Sequence, residues 1–152
     1  MLQIEIKMKI FLVDDDALFL KLLEIEFLQY PEFTIETYPT GELCMENISH
    51  NPDIIVLDYH LDGLSKGVMN GIQTLQKIKD FNPDIQVVIL SQQDVIDIAI
   101  DAIQHNAIDY VVKSDTAFAR IQNIIFRILN YKNMAKGLNW YLGKATSAAS
   151  GE

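Results

Sequence analysis

Asp53-Ile-Ile-Val-Leu-Asp58 decides how this chain folds. Four consecutive apolar residues, three of them β-branched, run into a single carboxylate. A short, unbroken apolar run of this kind reads as a strand covered on both faces, which is the environment of a parallel sheet. In an open parallel sheet, ligands gather where the carboxyl ends of the strands meet the following loops. Asp58 sits at such an end. On this strand alone its carboxylate fits two roles equally: a cap for the next turn or part of a site.

Working outward, four more segments read as strands. Alternation at Ile4, Ile6, Met8 and Ile10 becomes continuous in Ile10-Phe11-Leu12-Val13, followed by Asp14, Asp15 and Asp16. Phe33, Ile35 and Thr37 alternate as a half-exposed strand. Val87-Val88-Ile89-Leu90 is a buried run ending at Ser91, and Tyr110-Val111-Val112 is a short one ending at Lys113. Between them lie helical periods. The first follows Asp16 as N-cap and is closed by Pro31; the second opens at Thr40-Gly41 and stops at Asn51-Pro52. The third, with Ile72, Leu75 and Ile78, follows a long loop holding Gly63 and Gly67 and ends at Asn82-Pro83. The fourth runs through Val95, Ile96, Ala99 and Ile103, with Asn106 where a left-handed cap is expected. The last spans about Thr116 to Tyr131. Five strands alternating with five helices predict an α/β fold, a doubly wound parallel sheet with right-handed crossovers and helices on both faces.

Length and composition fit one domain. The chain has 152 residues, 49% of them hydrophobic and 22% charged, with a net charge of −9. Acidity of that order argues against direct nucleic-acid binding. Cys44, the lone cysteine, falls in an apolar helical pattern and reads as a buried, inert thiol. No apolar run approaches a membrane span and the N-terminus lacks a signal-peptide core, so the expectation is a soluble cytoplasmic protein. Residues 1–133 are expected to form the domain. Residues 134–152 form an extension whose last part, KATSAASGE, reads as disordered. Trp140 and Tyr141 lie in that extension; packing back on the domain and extending the helix into a dimer contact both fit them.

Parallel strands bring Asp14–Asp16, Asp58, Ser91 and Lys113 to one edge. Two carboxylates about 4 Å apart repel by roughly 4 kcal/mol at an effective dielectric near 20. Converging acids therefore need a cation, and Mg²⁺ suits carboxylate oxygens while leaving room for waters and a phosphoryl oxygen. A carboxylate can act as nucleophile towards a phosphoryl group. A metal ion and a lysine can neutralise the charge on that group.

The motifs FLVDDD, IIVLDYHL, VVILS and AIDYVVKS, in that order over residues 8–130, resemble the receiver domain of two-component response regulators in its single-domain, chemotaxis-regulator form. The resemblance implies the flavodoxin-like receiver fold, with strand order 2-1-3-4-5. It implies that Asp58 is the phosphoacceptor, receiving its phosphoryl group from a sensor histidine kinase or a histidine phosphotransfer protein. Asp15 would be a direct Mg²⁺ ligand, Asp14 would act through water, and the backbone carbonyl of His60 would complete the protein ligands. Lys113 would pair with phosphoryl oxygens, Ser91 would be the switch hydroxyl, and Tyr110 the aromatic that rotates behind it. Output would be a protein contact through residues 93–130, because no stretch after Leu129 is long enough for a further module. A homodimer is compatible with this reading.

The sequence departs from the family pattern twice. About five residues appear inserted within loop 61–70, where Asp62 stands in place of a usual proline and Gly71 is the counterpart of a family glycine. Ser114 replaces the proline after the lysine, which leaves open whether the Lys113–Ser114 bond is cis. Two alternatives follow: a docking domain that no longer needs phosphate, or a phosphatase resembling the haloacid dehalogenase class, with Asp14 as nucleophile and Asp16 as acid. His50 and His105 read as ordinary helix-end residues, and the Asp94, Asp97, Asp101 face as solvated.

Overall fold

The computed structural model describes residues 7–61 and 67–149. Its elements run β1 (Met8–Val13), α1 (Ala17–Leu28), β2 (Phe33–Tyr38), α2 (Gly41–Glu46), a 3-10 turn (Ile48–His50), β3 (Ile54–Asp58), α3 (Gly71–Phe81), β4 (Gln86–Ser91), α4 (Ile96–Gln104), β5 (Asp109–Val112) and α5 (Ala117–Ala149). The five strands form one sheet in the order β2-β1-β3-β4-β5, and every pairing is parallel. That is the expected topology. The expected alternation at Ile4 and Ile6 lies outside the described residues, as does Asp62.

The continuous apolar runs face two ways, as strand pleating requires. Ile10, Leu12, Ile54, Val56, Val88 and Leu90 pack with α1 and α5 on one side of the sheet. Phe11, Val13, Ile55, Leu57, Val87 and Ile89 pack with α2, α3 and α4 on the other. Every residue of β3 is buried. At roughly 25 cal/mol per Å² of apolar surface removed from water, this double coverage anchors β3 at the centre of the fold.

Local chemistry starts the helices where the sequence predicts. Asp16 accepts from the Leu18 and Phe19 N–H groups, and Thr40 accepts from Leu43 N–H. Asn70 and Gln73 form a reciprocal capping box at the start of α3. Asn51 and Asn106 both take left-handed backbone conformations, with φ of 58° and 69°. Cys44 is buried, and burial pushes its thiol up to about 12, well clear of reactivity at neutral pH.

One expectation needs correction. The last helix does not end near Tyr131: α5 continues to Ala149. No proline follows Pro83, and the added residues include Met134, Ala135, Lys136, Leu138 and Leu142, all good helix formers.

Candidate functional site

Sheet register builds the site. Val13 pairs with Leu57, so the next residues, Asp14 and Asp58, emerge side by side from the carboxyl ends of β1 and β3. Asp58 pairs with Leu90, one residue before Ser91, and Ser91 pairs with Val112, one residue before Lys113. The hydrogen bonds Tyr59 N–H to Leu90 O (2.8 Å) and Lys113 N–H to Ser91 O (2.8 Å) extend the ladder past the strand ends. Residues separated by up to 99 positions therefore meet at one edge.

Asp14 and Asp58 are buried, with 1% and 2% of their surface exposed, whereas Asp15 is exposed. Carboxylate oxygens of all three lie within 4.8 Å of one another. The Lys113 ammonium lies 2.7 Å from Asp14 Oδ2 and 3.5 Å from Asp58 Oδ1. Both contacts are ion pairs, and neither oxygen gains a hydrogen bond of good geometry. Asp14 Oδ1 accepts from the Asp16 N–H at 2.9 Å. Lys113 also sits 4.6 Å above the centroid of the Phe19 ring, which stacks on Phe118. A π face is a weak extra anchor for a desolvated ammonium.

These contacts do not fully compensate for burial. Burial, then the charge of Asp14, raises the Asp58 carboxyl to about 7, although Lys113 and the backbone N–H of His60 pull it down. Asp14 is raised too, chiefly by burial. Perturbed acids in a shared pocket mark a functional site more often than a structural one. The donor set also fits a magnesium-type ion: three hard carboxylate oxygens converge, and two buried oxygens lack hydrogen-bond partners.

The other sequence-predicted residues surround this cluster. Ser91 is buried, and its Oγ accepts from Gln93 N–H at 3.1 Å. It does not cap α4, whose N-cap is Val95. Tyr110 packs against the α2–α4 side of the core, and its hydroxyl donates to the Gln93 carbonyl. Ser91 and Tyr110 thus grip the same segment after β4. The His60 side chain is exposed and its ring meets the Tyr59 ring edge-on. Among the described residues no peptide bond is cis, so the Lys113–Ser114 bond is trans, and Lys113 still reaches both acids.

Three features escaped the sequence. Phe19 supports Lys113, and only its place in the first turn of α1, beside a strand end, hinted at it. Gly71 packs its Cα against the backbone after the acid: a Cβ there would lie 2.4 Å from Asp58 O and 2.7 Å from Tyr59 Cα. Asp101 belongs to more than a solvated face, since it accepts from the Tyr59 hydroxyl at 3.4 Å and pairs with His105. The residue following Asp58 is thereby tied to α4.

Comparison with known proteins agrees with this geometry. The family model of the response regulator receiver domain matches residues 10–125. The transcriptional regulatory protein ZraR of Klebsiella oxytoca is 31% identical over 104 residues, covering 68% of this chain and 22% of that protein. The DNA-binding transcriptional regulator NtrC of Escherichia coli K12 is 29% identical over 147 residues, covering 94% and 29%. This chain thus spans less than a third of the length of these relatives. The beryllofluoride-activated receiver domain of DrrB, from Thermotoga maritima, superposes with a TM-score of 0.71 at 25% identity, over 82% of this chain and 99% of that one. A receiver domain of a putative LuxO repressor from Vibrio parahaemolyticus gives 0.73 at 21% identity, over 88% and 98%, and speaks to the fold alone. Such a match over most of the chain removes the ground for a dehalogenase-class phosphatase. With buried acids and a lysine on the edge that the fold dictates, the chain belongs to the receiver domain family of two-component response regulators.

Proposed function

We propose that this chain is a phosphorylation-controlled signalling switch in which Asp58 accepts a phosphoryl group. One observation carries the reading: Asp14, Asp15 and Asp58 bring oxygens within 4.8 Å of one another, with the Lys113 ammonium against two of them. In the proposed step an Asp58 oxygen attacks phosphorus, the P–N bond of a phosphohistidine donor breaks, and the leaving imidazole takes up a proton. An acyl phosphate remains on Asp58. The donor is a sensor histidine kinase or a histidine phosphotransfer protein, in a cytoplasmic setting.

Nucleophilic attack needs ionised Asp58, yet its carboxyl titrates near 7 when cations other than Lys113 are absent. Mg²⁺ held by Asp15 and Asp58, by Asp14 through water, and by the His60 backbone carbonyl would favour the ionised form and screen the incoming charge. Lys113 then shifts from the paired acids to the phosphoryl oxygens. Ser91 offers its hydroxyl to the same group, which releases its hold on Gln93. Tyr110 shares that segment and follows, changing the surface formed by residues 93–130, where a downstream protein partner docks. Converting such a switch from 1:99 to 99:1 takes about 5.5 kcal/mol of differential stabilisation.

Treatment with acetyl phosphate and Mg²⁺, followed by mass-spectrometric mapping, tests this reading. Modification at Asp58, lost on chelation, is the expected result. Absence of modification would leave the phosphate-independent docking role, and modification at any other residue would overturn the acceptor assignment.

A further inference from the structure

Tyr59 lies between Asp58 and His60, both assigned above to the metal ion. Its main chain is fixed on two sides. The N–H donates to Leu90 O at 2.8 Å, and the carbonyl accepts from Gly71 N–H at 2.9 Å. The side chain reaches out of the loop to α4, where its hydroxyl donates to Asp101 Oδ2 at 3.4 Å. The other oxygen of that carboxylate, Oδ1, lies 3.2 Å from His105 Nδ1, one turn further along. His105 is the C-cap of α4, and its Nδ1 also lies 2.7 Å from the Asp101 carbonyl. The Asp101 carboxylate is therefore bracketed, by the end of its own helix on one side and by the acceptor loop on the other.

Packing alone holds α4 lightly. Of its nine residues, Ile98 and Ala102 are buried, whereas Ile96, Ile100 and Ile103 are exposed, and Val95 supplies no capping side chain. Helix α3 buries Gly71, Ile72, Thr74, Leu75 and Ile78 and opens on a capping box. A helix with few buried side chains belongs to the less stable part of a fold, so one polar contact is a larger share of what holds it. Asp94 and Asp97 are exposed, and Asp101, half-buried, is the acid of this face that meets the acceptor loop.

We infer that Asp101 is a positioning residue of the switch: through the Tyr59 hydroxyl it holds α4 against the acceptor loop in the resting arrangement, and this tie opposes conversion. The inference rests on the acceptor role proposed for Asp58. In the resting arrangement Ser91 and Tyr110 grip Gln93, just ahead of α4, while Asp101 is tied within the second half of the helix. The two restraints use different residues and reach α4 from different sides. Loading the site draws on Asp58 and on the His60 carbonyl, so Tyr59 turns between them and gives up Asp101 as α4 moves. Removing the tie beforehand raises the fraction of chains ready to convert. That fraction is read as tighter binding of any ligand that favours the converted form.

The test is a titration of the full chain with beryllofluoride, a phosphoryl mimic, in saturating Mg²⁺, followed by backbone NMR. Tyr59→Phe removes a single oxygen, so its melting point should stay near wild type. Its dissociation constant for beryllofluoride should fall about threefold, the scale of one hydrogen bond. Asp101→Ala should tighten binding similarly, and Tyr59→Phe should add nothing in that background. Without ligand, amide exchange in α4 should quicken by a similar factor in Tyr59→Phe while α3 keeps its wild-type rates. Unchanged or weakened binding in Tyr59→Phe, equal fold-changes in both backgrounds, or unaltered exchange in α4 would each overturn the inference and leave the acceptor role of Asp58 standing. A wild-type chain that binds no beryllofluoride, or binds it no better than Asp58→Asn, would instead overturn the acceptor role, and the tie would lose its place in a switch.

Discussion

The two ends of β3 begin and finish with the same residue type and do opposite things with it. At the amino end Asp53 is partly exposed and fully answered: Oδ2 accepts the Lys9 N–H at 2.8 Å and Oδ1 pairs with Lys132. At the carboxyl end Asp58 is buried, shares its lysine with Asp14, and keeps one oxygen without a hydrogen bond. Burial lifts the Asp58 carboxyl to about 7. The difference separates an acid that joins elements from one held ready for a ligand. A structural carboxylate is satisfied by the fold itself; Asp58 keeps a buried oxygen without a hydrogen bond, as the proposed acceptor role requires.

Asp58→Asn should break the comparison most completely. Labelling by acetyl phosphate is expected to vanish while the fold persists. Stability should report the same residue. Because the folded-state carboxyl is raised from 3.8 to about 7, folded protein holds a proton that unfolded protein has lost across that window. Stability in chelator should therefore fall as pH rises from about 4 to about 7, by on the order of 2–4 kcal/mol from this group. Asp58→Asn removes that loss, so the variant should melt above wild type at pH 7.5 and close to it at pH 4.5. Equal gaps at the two pH values would refute the electrostatic account; saturating Mg²⁺ should restore wild type alone.

Lys113→Met tests the same end from the cationic side. Removing one partner of a buried ion pair costs about 3–5 kcal/mol, because the remaining charges lose their counter-ion. Here the loss should be largest near pH 8 and shrink as the pH falls below about 7, where Asp58 takes up a proton, as chemical denaturation at pH 8 and pH 5 would reveal. Phe19→Leu should be far milder, about 0.5–1 kcal/mol beyond the packing change, since a π face only supplements the ion pairs.

Gly71→Ala comes next. A methyl group at 2.4 Å from Asp58 O cannot be accommodated without moving the backbone behind the acid. Overpacking of this kind costs roughly 1–3 kcal/mol. Acetyl phosphate labelling should slow as well, because the displaced strand end carries the acceptor. A thermal melt near wild type would show that the close approach is loose.

The parts legible in the sequence were those fixed by periodicity. Continuous apolar runs marked β1, β3 and β4 as buried parallel strands, and with the short run of β5 they brought Asp14, Asp58, Ser91 and Lys113 to one edge. Gly71 was recognisable as a counterpart, but the reason for it is a backbone contact that no local pattern encodes. Phe19 looks like any apolar residue of an amphipathic turn, and Asp101 like any exposed acid. The length of α5 is not legible in the small and polar residues that end the chain, although no proline interrupts the helix after Leu129. Lys132 and Asp53 stand 79 positions apart, and only the packing of α5 across the base of β1 and β3 brings them together.

That last pair gives the smallest effect. Asp53→Asn keeps the side chain's size and an acceptor for the Lys9 N–H, and removes only the charge facing Lys132. Both partners are partly exposed, with 25% and 39% of their side chains accessible, so water and salt screen the attraction. An ion pair of this exposure contributes about 0.2–1 kcal/mol. The expected result is a small loss in low salt that disappears above about 0.5 M, where the screening length falls to a few ångströms. Phosphorylation of Asp58 should proceed at the wild-type rate. A large, salt-independent loss, or slowed labelling at the far end of the same strand, would mean that the two ends of β3 are coupled and that the division between joining acid and reactive acid is wrong.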